Sequence, residues 1–225
     1  SEEAKRTAGD LVEMDADPSG EHRFGWTIRE PRGVIAAISP FNFPLNLASH
    51  KVAPALAGGN AVVLKPASAT PLTALRLAEL LVEAGLPEGT MQVVVGAGGT
   101  IGTKLVTDER TNMVSFTGSP LVGRRIARDA GMKMVTLELG NNSATIVDED
   151  ANLDLAVQRV VAGGFANSGQ ICISVQRVVV HEAVYDAFLE KLVPAVDALR
   201  VGDPLDETTD VASLISEDED RRVKG

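Results

Sequence analysis

The stretch GVIAAISPFNFPLNLASHKVAPALAGGNAVVLK, residues 33–65, decides the fold. It holds two short apolar runs, GVIAAI and AVVLK, on either side of a segment of helical length that ends in glycine. The two runs predict strands, and the segment between them predicts a helix. A strand, a helix and a second strand at this spacing predict two parallel strands joined by a right-handed crossover.

The same alternation continues along the rest of the chain. The further predicted strands are MQVVV at 91–95, NMVSF at 112–116, KMVTLEL at 133–139, SATIV at 143–147 and SVQRVVVHE at 174–182. The further predicted helices cover residues 70–85, 99–109, 119–131, 151–167 and 183–199. We therefore predict an α/β protein with a parallel sheet and helices on both of its faces.

The two ends of the chain lack this alternation. RFGWTIREP, residues 23–31, predicts an extended strand stopped by Pro31. Residues 201–216 predict a loop, and the acidic run SEDED, residues 216–220, predicts a solvated surface segment with no helix or strand after it. We interpret the chain as a fragment of a longer protein.

Composition narrows the possible function classes. The 225 residues carry 31 acidic and 21 basic side chains, and a net charge of −10 disfavours nucleic acid and anionic membrane surfaces as partners. No apolar run approaches the roughly 20 residues of a membrane span. The polar N-terminal segment and the single cysteine predict a cytoplasmic protein. His22, His50 and His181 lack metal-ligand spacing, so no metal is predicted.

Ligands bind at the carboxyl ends of the strands in open parallel sheets, so residues that follow strands are candidates. After the first strand, Asn42 lies between two prolines and two phenylalanines. It is either a turn-forming asparagine or an amide aimed at a developing oxyanion. Lys65, at the end of the second strand, either holds a phosphate or ribose hydroxyl or reaches solvent.

Two predicted helices begin where a phosphate would be favoured. The glycine-rich turn Gly96–Gly102 exposes backbone N–H groups before a helix, although its spacing is not G-x-G-x-x-G. Ser119 begins the next helix, and capping alone would explain it equally well.

Glu138 lies near the end of the predicted strand KMVTLEL, between two leucines. Because desolvation disfavours a charged carboxylate, a glutamate between two leucines suits a general base, and a surface glutamate is the alternative.

Cys172, in FANSGQICISVQR at residues 165–177, is the only cysteine of the chain. A lone cysteine is a candidate nucleophile when a base and an oxyanion donor exist elsewhere. A buried structural thiol is the alternative, because free cysteine is among the most buried side chains.

Five phrases together resemble the aldehyde dehydrogenase superfamily, and they occur in the order of that family. They are SPFNFPLN around Asn42, AGGNAVVLKPAS around Lys65, SFTGSPLVGRRI around Ser119, LELGNN around Glu138 and FANSGQICIS around Cys172. The resemblance implies a Rossmann-like nicotinamide-dinucleotide-binding domain over residues 33–140. It implies that residues 141–225 are the first part of a catalytic domain. Residues 1–32 would be the end of a helix and part of an arm that pairs subunits into a homodimer or homotetramer.

The resemblance also implies residue roles. Cys172 would attack an aldehyde and form a thiohemiacetal, while the Asn42 amide and the Cys172 N–H hold the oxyanion. After hydride transfer to NAD or NADP, Glu138 would activate the water that hydrolyses the thioester to a carboxylic acid. The implied cofactor contacts are Ser39, Pro40, Phe41, Lys65, Ser68, Gly98, Phe116, Thr117, Gly118, Ser119, Leu139 and Gly140.

Three departures from the family pattern stand out. Ser68 replaces a glutamate that is frequent in NAD-preferring members, which relieves repulsion of a 2′-phosphate and predicts NADP or dual use. Asn141 stands where the family usually has glycine, which puts the local turn in question. The glutamate-phenylalanine motif of the family is missing, so this fragment alone is expected to be inactive. A coenzyme A-acylating enzyme and a catalytically silent nucleotide-binding relative remain alternatives.

Overall fold

The computed structural model describes residues 2–225, and the chain divides into two units within it. The first unit ends at Glu138 and the second is Leu139–Gly225. The division into residues 1–32, 33–140 and 141–225, with its assignment of an arm and two domains, stays a prediction.

The first unit opens with a small antiparallel pair of strands. A short 3-10 helix, Glu2–Arg6, precedes β1 (Leu11–Val12), which pairs with β2 (Gly25–Trp26). The prediction of a strand over residues 23–31 was wrong in its length. A strand requires partners for its N–H and C=O groups, and β1 offers a partner of two residues.

A five-stranded parallel sheet forms the centre of the first unit. In chain order its elements are β3 (Val34–Ile38), α1 (Asn46–Ala57), β4 (Ala61–Lys65), α2 (Leu72–Glu83), β5 (Met91–Val93), α3 (Thr103–Thr107), β6 (Met113–Thr117), α4 (Pro120–Asp129) and β7 (Met134–Glu138). The strand order is β5-β4-β3-β6-β7. Strands β4 and β5 are added on one side of β3, and strands β6 and β7 are added on its other side. Right-handed crossovers therefore place α1 and α2 on one face and α4 on the other, which confirms the predicted fold class.

Small residues let the helices pack closely on this sheet. Ala37, Val62 and Leu64 of the strands are buried against Ala48 of α1 and Ala74 of α2. The predicted helix over residues 99–109 is shorter than expected. Its glycine-rich start, Gly98–Gly102, forms a wide helical turn, and regular α-helix begins at Thr103.

The register of the sheet aligns the carboxyl ends of four strands. Ile38 of β3 pairs with Lys65 of β4 and with Phe116 of β6. Thr117 of β6 pairs with Glu138 of β7. The residues that the sequence analysis singled out after these strands therefore lie along one edge of the sheet.

The second unit pairs two strands and packs two helices on them. Its elements are β8 (Ala144–Val147), α5 (Leu153–Phe165), β9 (Arg177–Val180), α6 (Tyr185–Asp197) and α7 (Glu217–Lys224). β8 and β9 are parallel. Asn152 caps α5 by accepting a hydrogen bond from the Leu155 N–H at 3.1 Å. Val147, Val157, Val160 and Phe188 form the buried core.

Helix α7 corrects the expectation that no helix or strand follows the acidic run. Ser216 is its N-cap, and its Oγ accepts from the Glu219 N–H at 3.3 Å. The acidic residues occupy the first turn and Arg221, Arg222 and Lys224 the last, which favours a helix through its dipole. Ion pairs within the helix, such as Lys224 with Asp220 at 2.8 Å, add to this.

None of the helices in the described part of the chain is long and apolar enough to cross a membrane. No cluster of three or more His, Cys, Asp or Glu side chains suited to a metal ion is found among residues 2–225. The predicted absence of a metal stays a prediction.

Candidate active site

The segment after β3 begins the candidate site of the first unit. Ser39 is buried, and its N–H donates to the Lys65 carbonyl at 3.1 Å, which ties the ends of β3 and β4 together. Pro40, Phe41 and Asn42 are half-buried in the loop that leads into α1. This loop begins at the carboxyl edge of the sheet, so Asn42 follows the end of β3.

Lys65 is buried, so the interpretation that it reaches solvent is wrong. Its ammonium group donates to the Pro66 carbonyl at 2.9 Å. Burial lowers the pKa of Lys65, because desolvation disfavours the charged form. A buried cation at a strand end has unused donor capacity for a polar ligand, which keeps Lys65 a candidate for a hydroxyl or phosphate contact.

Lys51 is a buried residue of the site that the sequence analysis missed. It lies on α1, and its Nζ donates to Thr117 Oγ1 at 2.5 Å. Burial lowers the pKa of Lys51, and attraction to the Glu138 carboxylate opposes that shift. The signal in the sequence was a lysine on the buried stripe of α1 that also holds Ala48 and Val52.

Glu138 is exposed at the end of β7, as the surface interpretation expected. Burial alternates along β7, with Met134, Thr136 and Glu138 on the more exposed face. Its backbone carbonyl accepts from the Gly118 N–H at 3.1 Å, which fixes the strand end. The carboxylate thus has the buried Lys51 ammonium as a charged neighbour and is open to an approaching water or substrate.

A cavity of about 210 Å³ lies between the glycine-rich turn, α3 and α4. Ile38, Phe116 and Ile126 give it apolar walls. Gly98 and Gly99 also line it, and a Cβ built on either glycine meets no atom within 4 Å. The volume is below the roughly 300–1,000 Å³ of a whole ligand pocket, so it suits one ring of a larger ligand. Bare backbone beside apolar walls leaves room for a ring of this size.

Gly118 and Ser119 connect β6 to α4 beside this cavity. A Cβ on Gly118 would lie 2.5 Å from the Phe116 ring, which explains the glycine. Ser119 is exposed and caps α4, with its Oγ accepting from the Val122 N–H at 3.4 Å. The cap is therefore observed, while the phosphate role of Ser119 stays a prediction.

Ser68 is exposed beyond the end of β4. Its hydroxyl donates to the Gly96 carbonyl at 2.9 Å, which links the segment after β4 to the turn after β5. A neutral serine here leaves the surface free of the negative charge that a glutamate would bring. The role of Ser68 in cofactor choice stays a prediction.

The second unit begins with Leu139, half-buried, and Gly140, exposed. Asn141 follows, and its backbone is outside the left-handed region, so the usual glycine of the family is not required by the turn. The Asn141 amide donates to the Cys172 carbonyl at 2.5 Å. Asparagine therefore fits the backbone of this turn and contacts Cys172.

Cys172 is exposed, so the interpretation as a buried structural thiol is wrong. The chain reaches it through Asn167, Ser168 and Gly169, whose φ angles of 51°, 57° and 73° are all left-handed. Two of these residues are not glycine, and such positions are strained. The exposed thiol is accessible to a substrate, and the role of Cys172 as nucleophile stays a prediction.

Residues 1–225 match the model of the aldehyde dehydrogenase family over their whole length. The chain belongs to the aldehyde dehydrogenase family.

Three similar proteins of this family illustrate the match. The 3-sulfolactaldehyde dehydrogenase of Priestia aryabhattai is 51% identical over 224 residues, which are 100% of this chain and 47% of that protein. The lactaldehyde dehydrogenase of Methanococcus aeolicus is 45% identical over 202 residues, covering 88% of this chain and 43% of that protein. The crystal structure of glyceraldehyde-3-phosphate dehydrogenase GapN from Methanocaldococcus jannaschii complexed with NADP has a TM-score of 0.92 and 41% identity, covering 98% of this chain and 48% of that one.

The chain spans about half the length of the curated relatives it matches. Within the aldehyde dehydrogenase fold, the first unit aligns Ser39, Lys65, Thr117 and Glu138 along one sheet edge, and the second unit carries Cys172. The catalytic and cofactor-binding roles of these residues remain predictions.

Proposed function

We propose that the complete protein oxidises an aldehyde to a carboxylic acid with NAD or NADP, using Cys172 as its nucleophile. The observation that carries the proposal is the exposed thiol of Cys172 on a constrained loop in a chain of the aldehyde dehydrogenase family. An exposed thiol is accessible to a substrate, whereas a buried thiol is not.

The proposed reaction uses three residues of this chain: Cys172, Asn42 and Glu138. The Cys172 thiol releases its proton to solvent as its sulfur forms a bond to the aldehyde carbon, and the Asn42 amide and Cys172 N–H stabilise the negative oxygen of the thiohemiacetal. Such a donor contributes roughly 3–4 kcal/mol when it is aimed at the developing charge. The bound dinucleotide supplies the hydride acceptor. Glu138 takes a proton from water, whose oxygen attacks the thioester carbon; the carbon–sulfur bond then breaks, the acid leaves, and Glu138 returns the proton to the Cys172 sulfur.

The residues present fit a nicotinamide dinucleotide. The cavity lined by Gly98, Gly99 and Phe116 would take the adenine ring, and the start of α4 at Ser119 would approach a phosphate. Lys65 would contact the adenosine ribose. We propose NADP or dual use, since Ser68 brings no negative charge near the 2′-phosphate.

Small polar aldehydes are the proposed substrate class. One relative, 51% identical, is named for 3-sulfolactaldehyde, and another, 45% identical, is named for lactaldehyde. Both are three-carbon aldehydes with a neighbouring hydroxyl group. Glu138 supports hydrolysis over transfer of the acyl group to coenzyme A.

We further propose a cytoplasmic homo-oligomer that pairs through the arm containing β1 and β2. The supporting observation is that Phe24, Trp26 and Ile28 are largely exposed on the first unit, at 63–72% of their surfaces. Sedimentation velocity of the complete protein tests this, and a monomer at micromolar concentration would contradict it.

The direct experiment is a panel of aldehydes with both cofactors on the complete protein. Formation of reduced cofactor and carboxylic acid in equal amounts, without coenzyme A, is expected. Turnover that requires coenzyme A and yields a thioester would establish the acylating alternative instead. Cofactor binding without any oxidation across the panel would favour a catalytically silent relative.

A further inference from the structure

Both ends of the Asn141 side-chain amide make a hydrogen bond, and one of the two bonds reaches the loop that carries Cys172. Its Nδ2 donates to the Cys172 carbonyl at 2.5 Å, and its Oδ1 accepts from the Ser143 N–H at 2.9 Å. Its backbone carbonyl accepts from Gln176 Nε2 at 3.4 Å. Because donor and acceptor are both used, the orientation of the amide is fixed.

Other contacts hold this loop on either side of Cys172. Ser168 Oγ donates to the Ala212 carbonyl at 2.8 Å. On the far side, Ser174 Oγ donates to the Gly164 carbonyl at 3.2 Å. The bond from Asn141 differs from these, because it ends on Cys172 itself.

The loop needs such anchors because its backbone is strained. Asn167 and Ser168 are left-handed residues other than glycine, and each costs roughly 1–3 kcal/mol. Conformations of this kind persist where the surrounding contacts over-determine them. Loss of an anchor would let the peptide group after Cys172 rotate and move the thiol.

We propose that Asn141 is a positioning residue for Cys172: its amide holds the Cys172 carbonyl and thereby limits rotation of the Cys172 backbone from which the thiol projects. The inference rests on the proposed role of Cys172 as nucleophile. Since the backbone of Asn141 does not need a glycine, the asparagine adds a bond without strain.

The test compares Asn141→Gly and Asn141→Asp in the complete protein, with Asn142→Asp as a control. Aspartate keeps the acceptor for Ser143 but cannot donate to Cys172 when ionised. Asn142 is the exposed next residue and matches the change in charge. The readouts are the pre-steady-state burst of reduced cofactor, the cofactor KM, and the rate at which iodoacetamide alkylates the Cys172 peptide, followed by mass spectrometry.

Both Asn141 variants are expected to slow the burst and the alkylation by about three- to tenfold, the range for one lost hydrogen bond. Their cofactor KM and unfolding temperature should stay at wild-type values, as should all readouts of Asn142→Asp. Wild-type burst rates in both variants would overturn the inference. Cys172→Ser separates the two proposals: if it oxidises aldehyde at the wild-type rate, the proposed function fails. If it is inactive while both Asn141 variants are normal, only the positioning role fails.

Discussion

Replacing Gly99 with alanine tests whether the cavity beside α4 receives the cofactor. A Cβ on Gly99 meets no protein atom within 4 Å, and the backbone of Gly99 is outside the left-handed region. The protein itself should therefore tolerate the methyl group, and Gly→Ala at a compatible position stabilises by about 0.4–1 kcal/mol. The methyl group would instead occupy space beside the cavity that Gly99 lines.

The expected cost therefore appears in binding rather than in folding. An overlap of one methyl group costs about 1–3 kcal/mol, so the Kd for NADP should rise by about tenfold or more, at about 1.4 kcal/mol per tenfold. Isothermal titration calorimetry of the complete protein measures the Kd, and thermal unfolding without cofactor measures the fold.

Gly118→Ala is the contrasting variant. Its new methyl group would lie 2.5 Å from the Phe116 ring, which is 5% exposed, so the ring must move or the strand must shift. We expect a loss of about 1–3 kcal/mol in folding stability. Wild-type NADP affinity in Gly99→Ala would refute the assignment of the cavity, whatever Gly118→Ala does.

Three other predictions concern single side chains. Ser68→Glu should lower the ratio of kcat/KM for NADP over kcat/KM for NAD by at least about fivefold, since a carboxylate about 4 Å from a phosphate costs about 1 kcal/mol even in water. Ser68→Ala is the control because it adds no charge, and an unchanged ratio in Ser68→Glu would contradict the cofactor proposal. Glu138→Gln should lower steady-state turnover by about 10²–10⁴-fold while keeping the burst of reduced cofactor, and loss of the burst itself would argue against a role in hydrolysis. Phe188→Ala, at a side chain 1% exposed, should cost about 3–5 kcal/mol of stability in denaturant unfolding, whereas Tyr185→Ala, 49% exposed on the same helix, should cost under about 1 kcal/mol.

Much of the sheet was predictable because its strands are short apolar runs bounded by glycine or proline. Val34–Ile38 and Ala61–Lys65 match the predicted runs closely, since nearly every residue of each strand is at least partly buried. Helix α7 escaped prediction because its residues are almost all charged and carry no apolar period. Its stability comes from a cap and local ion pairs, which hydrophobic patterning does not detect.

The site shows a similar limit of local reasoning. Lys51 contacts Thr117, which is 66 residues away, so no spacing in the sequence joins them. The exposure of Cys172 also could not be derived from its residue type, because free cysteines are mostly buried. The left-handed backbone at Asn167 and Ser168, in the segment before Cys172, is likewise not encoded by a local pattern. The resemblance to a family identified the candidate residues, whereas the structure supplied their surroundings.

The central claim is that Cys172 carries the acyl group between oxidation and hydrolysis. The most direct measurement is mass spectrometry of Glu138→Gln after one turnover with aldehyde and oxidised cofactor, quenched in acid and digested. The account predicts that the Cys172 peptide gains the mass of the aldehyde less two hydrogens, and that it gains nothing when the cofactor is omitted. A different result would contradict the account. In that result the sample has formed reduced cofactor and holds the unhydrolysed acyl group on another residue, while the Cys172 peptide is unmodified.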